Sequence, residues 1–276
     1  MKLLRYGPAG QEKPGLLDAA GVLRDLSAHV ADIGPDTLGP DTLDRLRALD
    51  PGSLPEVAGT PRLGSPVARP GNILCIGLNY RDHVTEAKMA LPAEPVVFSK
   101  HTGALSGPND PVVLPRGSIK SDWEVELAVV IGRRAEGVRE ADALSHVAGY
   151  TVCNDVSERT FQIDRGGQWI KGKSAPTFCP LGPVMVTADE IGDPQALRLW
   201  LTVNGQTMQD GTTADMVFPV AHLISYLSAF MALLPGDVIA TGTPMGTGMG
   251  RGVFLARGDV MRLGIDGIGE MEQRVE

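Results

Sequence analysis

Apolar residues in this sequence recur in short runs bounded by glycine, proline and aspartate, the pattern of strands joined by turns rather than of a helical bundle. At the start, MKLLRY reads as a strand, and GLLDAAGVLRDL as strand-like sequence around a turn at Ala20-Gly21. A helix is predicted over residues 41–49, stopped by Pro51-Gly52. Residues 61–71 (PRLGSPVARPG) are rich in proline and glycine without periodicity and read as a linker. The expected organisation is a small β-rich module, residues 1–62, followed by a main domain, residues 71–276.

In the main domain NILCIGL, PVVF, PVVLP, VELAVVIG, AGYTVCNDV, GPVMVT, LRLWLTVNG, DVIATG and DVMRLGI read as strands, several of them apolar on both faces. Three segments have helical character: residues 80–89, 140–147 and 219–234. The last carries Val220, Leu223, Ile224, Leu227, Phe230, Met231 and Leu234 at helical spacing behind Pro219. This stripe, with His222 in it, is expected to pack on the core. The fold class predicted is α+β, predominantly β.

Composition agrees with that reading, since 34 glycines and 21 prolines supply turns for many strands. Hydrophobic residues at 43% and charged residues at 21% exclude a disordered chain. The net charge of −8, without a long basic cluster, leaves little from which to build a phosphate-tracking groove, so no nucleic acid is expected as partner. No apolar run approaches the roughly 18 residues of a membrane span, and MKLLRYG leads into polar sequence; no membrane is expected, and a cytoplasmic location is. Cys75, Cys153 and Cys179 are odd in number, lack C-x-x-C spacing and sit among apolar neighbours, as small buried hydrophobes do.

Two glycine motifs suggest phosphate binding and fail on context. GQWIKGKS (167–174) satisfies G-x-x-x-x-G-K-[ST], but polar residues precede it, Pro176 and Pro180 obstruct the helix it needs, and Trp169 and Ile170 would crowd the cradle. GTGMGRG (246–252) does not match the dinucleotide fingerprint and reads as a flexible loop beside a site.

The stronger signal is DWEVELAVVIG, because strand residues two apart share a face and aim Glu124 and Glu126 the same way. Ala128 and Val130 continue that face into apolar surface, where paired carboxylates need a proton or a cation. Asp155, ending GYTVCNDV, could add a third oxygen, and hard donors without matching His or Cys point to magnesium or manganese rather than zinc. A solvated acidic face is the alternative. In NYRDHVTE, Asn79 can cap a helix, Asp82 suits its first turn, and His83 and Glu86 lie on one face at i and i+3. A histidine polarised by a carboxylate can activate water, although an ordinary capped surface helix carries the same residues. His29, His101, His146 and His222 have no equally suggestive partner.

Taken in order, GLNYRDHVTE, DWEVELAVVIG, NDVSERTFQ, KGKS and GDVIATGTP resemble the fumarylacetoacetate hydrolase family over roughly residues 70–276. The N-terminal module looks like the short β-rich domain of bacterial members. The resemblance implies a mixed β-sandwich roll, a homodimer, and Mg²⁺ or Mn²⁺ held by Glu124, Glu126 and Asp155. It further implies a water-activating dyad of His83 and Glu86 on a mobile lid, Lys173 on substrate or enolate oxygen, and Arg159, Gln162, Thr241 and Thr243 around the substrate. After Lys173-Ser174 many relatives have an aromatic and an acidic residue where this chain has Ala175 and Pro176, so that part of the pocket wall departs from the family pattern. The implied activity is metal-dependent hydrolysis of a C–C bond, through a metal-stabilised enolate, in a small anionic acylpyruvate or a diketo-deoxy sugar acid such as 2,4-diketo-3-deoxy-fuconate. A ureidoglycolate lyase, an oxaloacetate decarboxylase or a ketone–enol isomerase would suit the same scaffold. A noncatalytic sugar-acid binding protein is the reading from another class.

Overall fold

The strand Val125–Ile131 is buried at every position, so it needs neighbours on both edges and cover on both faces. In the computed structural model, which describes residues 1–276, it lies between the antiparallel strands Val147–Asn154 and Val238–Ala240. These three belong to an eleven-stranded sheet. On one side the order continues through Cys179–Thr187, Lys2–Tyr6, Lys13–Leu17 and Leu23–Asp25. On the other it runs through Ile73–Gly77, parallel to Val238–Ala240, to Val96–Lys100. A four-stranded antiparallel sheet, ordered Gln206–Thr212, Arg198–Val203, Val260–Ile265 and Gly269–Arg274, packs against this one. Leu199, Leu201, Leu263 and Met271 share one apolar cluster with Leu127, Val152 and Leu181 of the larger sheet. Two layers around a common core give the sandwich, predominantly β with short helices.

The N-terminal strands extend the large sheet through Lys2 opposite Val186 and Leu3 opposite Met185. A second apolar cluster, including Leu3, Leu26, Ile33, Leu38 and Leu46, reaches Val130, Ala148 and Met185 of the main sheet. All three cysteines are free and buried. No helix is long and apolar enough to cross a membrane.

Several predicted elements differ. The helix expected over 41–49 is Pro40–Arg47, and that over 140–147 is a 3₁₀ helix, Glu140–His146. The helix expected over 80–89 is Arg81–Glu86, ended by Lys88 at φ 54°. Asn79 does not cap it, because its side chain bonds Phe218 and the Thr241 carbonyl, leaving Tyr80 at the cap position. The helix expected over 219–234 is Val220–Ser228; Phe230, Met231 and Leu234 lie beyond its end and are exposed. PVVLP makes a single bridge, Val112 with Val275, instead of a strand. GTGMGRG is not an open loop: it contains the short helix Gly248–Arg251. Helices Arg159–Ile163 and Ile170–Lys173 were not foreseen, being too short to show a 3.6-residue period.

Candidate active site

Antiparallel pairing puts the beginning of one strand beside the end of the next. Glu126 stands opposite Cys153, and two residues further along the same face is Asp155, whose amide donates to the Glu124 carbonyl at 2.9 Å. Carboxylate oxygens of Glu124, Glu126 and Asp155 consequently lie within 4.8 Å of one another, all three residues buried. The alternative of a solvated acidic face is set aside.

Three cations compensate this cluster. Lys173 Nζ donates to Glu124 Oε2 at 2.5 Å and Asp155 Oδ2 at 2.7 Å, while Lys100 Nζ donates to Asp155 Oδ1 at 2.5 Å and the Val156 carbonyl at 3.0 Å. Arg159 forks onto Asp122 at 2.8 and 3.0 Å, donates to Glu124 Oε1 at 2.6 Å, and through Nη1 reaches Gln162 Oε1 at 3.0 Å. Neither Lys100 nor Asp122 was anticipated as a site residue. Asp122 is in phase with Glu124 and Glu126, a signal that was available; Lys100 gave none beyond ending an apolar strand.

Arg159 and Gln162 are aimed by the helix Arg159–Ile163, whose N-cap Glu158 accepts from the amides of Phe161 at 2.7 Å and Lys120 at 2.8 Å. Burial works to raise the Glu158 carboxyl, but bonds from Thr160, Phe161 and Lys120 outweigh it and hold it below its ordinary value. Its stabilisation is therefore complete above the unfolded-state value and is lost as pH falls through the lower folded value. Glu158→Ala is expected to cost about 1–2 kcal/mol at neutral pH, read as a lower urea midpoint. The difference from the parent should shrink as pH falls below about 4.

Four buried carboxylates face three cations, so neutrality requires one carboxyl to keep its proton. Burial, followed by the charges of Asp155 and Glu124, pushes Glu126 well up and makes it the proton's holder. Burial would raise Glu124 as well, but Arg159 and Lys173 hold it well below the usual carboxylate range. For Asp122, burial prevails over Arg159 and lifts the carboxyl to about 6. Burial opposes the charge on Lys173, yet Asp155 and Glu124 keep it firmly protonated. A divalent cation at the triad would take the place of the Glu126 proton. The all-oxygen donor set, with little separation to close to bonds of about 2.0–2.1 Å, fits Mg²⁺ or Mn²⁺.

A cavity of about 130 Å³ opens onto this cluster and is lined by Glu124, Glu126, Arg159, Gln162, Lys173 and Thr243, with His83 among its walls. His83 Nδ1 lies 3.3 Å from Glu86 Oε2, and Nε2 has no partner within the protein. Glu86 also accepts from the Gly246 amide at 3.0 and 3.1 Å, and Asp82 from the Met245 amide at 3.2 Å, pinning the short helix to the glycine-rich loop. Gly246 makes that approach at φ +100°, where a Cβ would lie 2.0 Å from the Met208 carbonyl oxygen. Burial works to raise Glu86; His83 and the Gly246 amide reverse it and leave the carboxyl below its ordinary value. Thr243 donates to the Val125 carbonyl at 2.8 Å and receives a bond from Gln209. Thr241 is not part of the cavity wall: it is fully buried, its hydroxyl donating to the Leu127 carbonyl at 2.8 Å. His222, which offered no suggestive partner in the sequence and was expected to pack on the core, lies 3.0 Å from Glu140 and stacks between Phe218 and Tyr226 on a part-exposed face.

Buried carboxylates close enough to hold a hard cation, facing a histidine across a small cavity on a two-sheet scaffold, mark the chain as an enzyme. The family model "Fumarylacetoacetate (FAA) hydrolase C-terminal" matches residues 72–276, and the chain belongs to the fumarylacetoacetate hydrolase family. It is similar to a protein of Burkholderia cenocepacia (strain HI2424) named only as a candidate hydrolase, 59% identical over 99% of this chain and 98% of that one. Among solved structures, maleylpyruvate hydrolase from Sphingobium sp. SYK-6, in complex with manganese(II) and pyruvate, is 31% identical with a TM-score of 0.84, covering 100% of this chain and 98% of that one. A 5-carboxymethyl-2-hydroxymuconate delta-isomerase from Mycobacterium smegmatis is 32% identical with a TM-score of 0.78, covering 100% and 98%.

Proposed function

We propose that the protein hydrolyses a carbon–carbon bond in a small acylpyruvate-like diketo acid, using Mg²⁺ or Mn²⁺ held by Glu124, Glu126 and Asp155. The observation that carries this reading is a single cavity lined both by Glu124 and Glu126 of the carboxylate cluster and by His83, whose Nε2 makes no hydrogen bond within the protein. The bound cation would supply Lewis acidity towards the keto-acid oxygens. Glu86 holds the proton of His83 on Nδ1, which leaves Nε2 to take a proton from water as it attacks the distal carbonyl. Lys173, charged and buried, places positive potential where the released pyruvate carries developing negative charge. Gln162, its Oε1 engaged by Arg159, offers its amide Nε2 to a substrate carbonyl oxygen. Maleylpyruvate hydrolase, which resembles this chain over its whole length, was solved with manganese and pyruvate and supports the assignment.

Isomerisation is the second reading, favoured by the likeness to the delta-isomerase. Product analysis separates the two, since hydrolysis releases pyruvate and a carboxylic acid whereas isomerisation leaves the mass unchanged. Protein stripped with EDTA is expected to release pyruvate from acylpyruvates only at background rate, and to regain turnover with Mn²⁺ or Mg²⁺. Full activity after exhaustive chelation, or conversion without pyruvate release, would overturn the proposal.

A further inference from the structure

We propose that the acyl side of the substrate is apolar, an acylpyruvate bearing an aryl or branched hydrocarbon group rather than a second carboxylate or a run of hydroxyls, with Trp169 as its principal selector. This rests on the proposed hydrolase reading and deepens it. The first argument is that both permanent cations lining the cavity are already committed. Arg159 is engaged by Asp122, Glu124 and Gln162; Lys173 is held by Glu124 and Asp155, with its remaining side 5.0 Å over the Phe98 ring. A second substrate carboxylate would enter without a cation to pair with, and an unpaired anion is strongly disfavoured in a partly enclosed site. The free donor, Gln162 Nε2, is neutral and suits a carbonyl oxygen.

The second argument is the wall itself. Outside the charged cluster the cavity is bounded by Ile76, Met89, Phe98, Ile163, Trp169 and Met249. Phe98 and Trp169 meet edge to face with centroids 5.2 Å apart. Trp169 sits directly over Gly77, where a Cβ would lie 2.6 Å from the indole ring, so the backbone there is bare to admit it. Met89, Ile163 and Met249 are 55%, 49% and 38% exposed, apolar groups left in water beside the cavity that a hydrocarbon ligand would cover. Polyhydroxylated chains would meet thioether and indole surface with no partner for their hydroxyls. The bulky residue that spoils the phosphate-loop motif thus has a function of its own.

The test compares kcat/KM, with Mn²⁺ present, for benzoylpyruvate, fumarylpyruvate and 2,4-diketo-3-deoxy-fuconate, which share a keto-acid end and differ in the acyl group. Benzoylpyruvate should be preferred over each of the others by roughly 100-fold or more. Trp169→Ala should lower its kcat/KM by about tenfold or more, with a much smaller change for acetylpyruvate. Ile163→Arg, at an exposed position tolerant of change, should shift the ratio towards fumarylpyruvate. Equal or faster turnover of fumarylpyruvate or the sugar acid by the parent enzyme overturns the inference. Calorimetric binding of the same three compounds to the Mn²⁺-loaded protein reads the preference without turnover. If none releases pyruvate, the hydrolase reading fails by itself, and tightest binding of benzoylpyruvate still supports the apolar subsite while tighter binding of either rival rejects it.

Discussion

Replacing His83 with alanine is expected to lower kcat by about 10²- to 10⁴-fold, the contribution of a positioned general base, while leaving the affinity for Mn²⁺ unchanged. The separation follows from the geometry. His83 borders the cavity with Nε2 unpartnered, whereas the oxygens assigned to the cation belong to Glu124, Glu126 and Asp155. In the proposed mechanism Glu86 would act through the histidine, since its carboxylate lies on Nδ1 and is held there by the Gly246 amide. Glu86→Gln should therefore slow the parent enzyme, but should change little once His83 is alanine, because groups that act as a unit are not additive. Stopped-flow or coupled assay of pyruvate release in the two single variants and the double variant measures this, with metal affinity by calorimetry alongside. Turnover in His83→Ala within a few-fold of the parent would remove the dyad from the reaction. Additive losses would assign Glu86 a role apart from the histidine.

How much of this was legible in the sequence depended on the range of the interaction. Glu124 and Glu126 could be placed on one face because the period of a strand is two, whereas Asp155 was a candidate third oxygen that only the resemblance joined to them, and the pairing of their strands is seen in the fold. The burial of residues 127–131 could be read from their unbroken apolar run. Lys100 was hidden, since a lysine closing an apolar strand ordinarily points to water, and only the folded arrangement turns it onto Asp155 fifty-five residues away. The pairing of His222 with Glu140 is equally remote from any local spacing. Phe230, Met231 and Leu234 kept helical periodicity past the point where the helix stops, and periodicity by itself carries no stop signal. Thr241 came from resemblance, and its hydroxyl is turned to the backbone of the central strand, where it fastens the site instead of facing the cavity.

Loss of Arg159 should have the largest effect on stability. Its guanidinium is buried and pairs with Asp122 and Glu124 together; Glu124 keeps Lys173, so Arg159→Met leaves Asp122 in the interior without a cation. Breaking one side of a buried pair costs about 3–5 kcal/mol, and at roughly 2–4 °C per kcal/mol for a chain of this size the melting temperature should fall by on the order of 10 °C. Lysine is not an adequate substitute, because a compact ammonium cannot reproduce the fork onto Asp122. Converting the orphaned carboxylate to an amide should recover much of the loss, so that Arg159→Met/Asp122→Asn melts well above Arg159→Met. The pH dependence gives an independent check. Burial already lifts Asp122 to about 6 in the presence of Arg159, and without the guanidinium the carboxyl must rise further. The folded variant then binds a proton that the unfolded chain releases, and its stability declines as pH increases. Parent and variant should draw together below about pH 6 and separate above it, up to the raised value of Asp122 in the variant. A variant that melts with the parent across that range would mean that the fork contributes nothing net to the fold, and that Asp122 is stabilised by its remaining contact, the amide of Met249 at 2.7 Å.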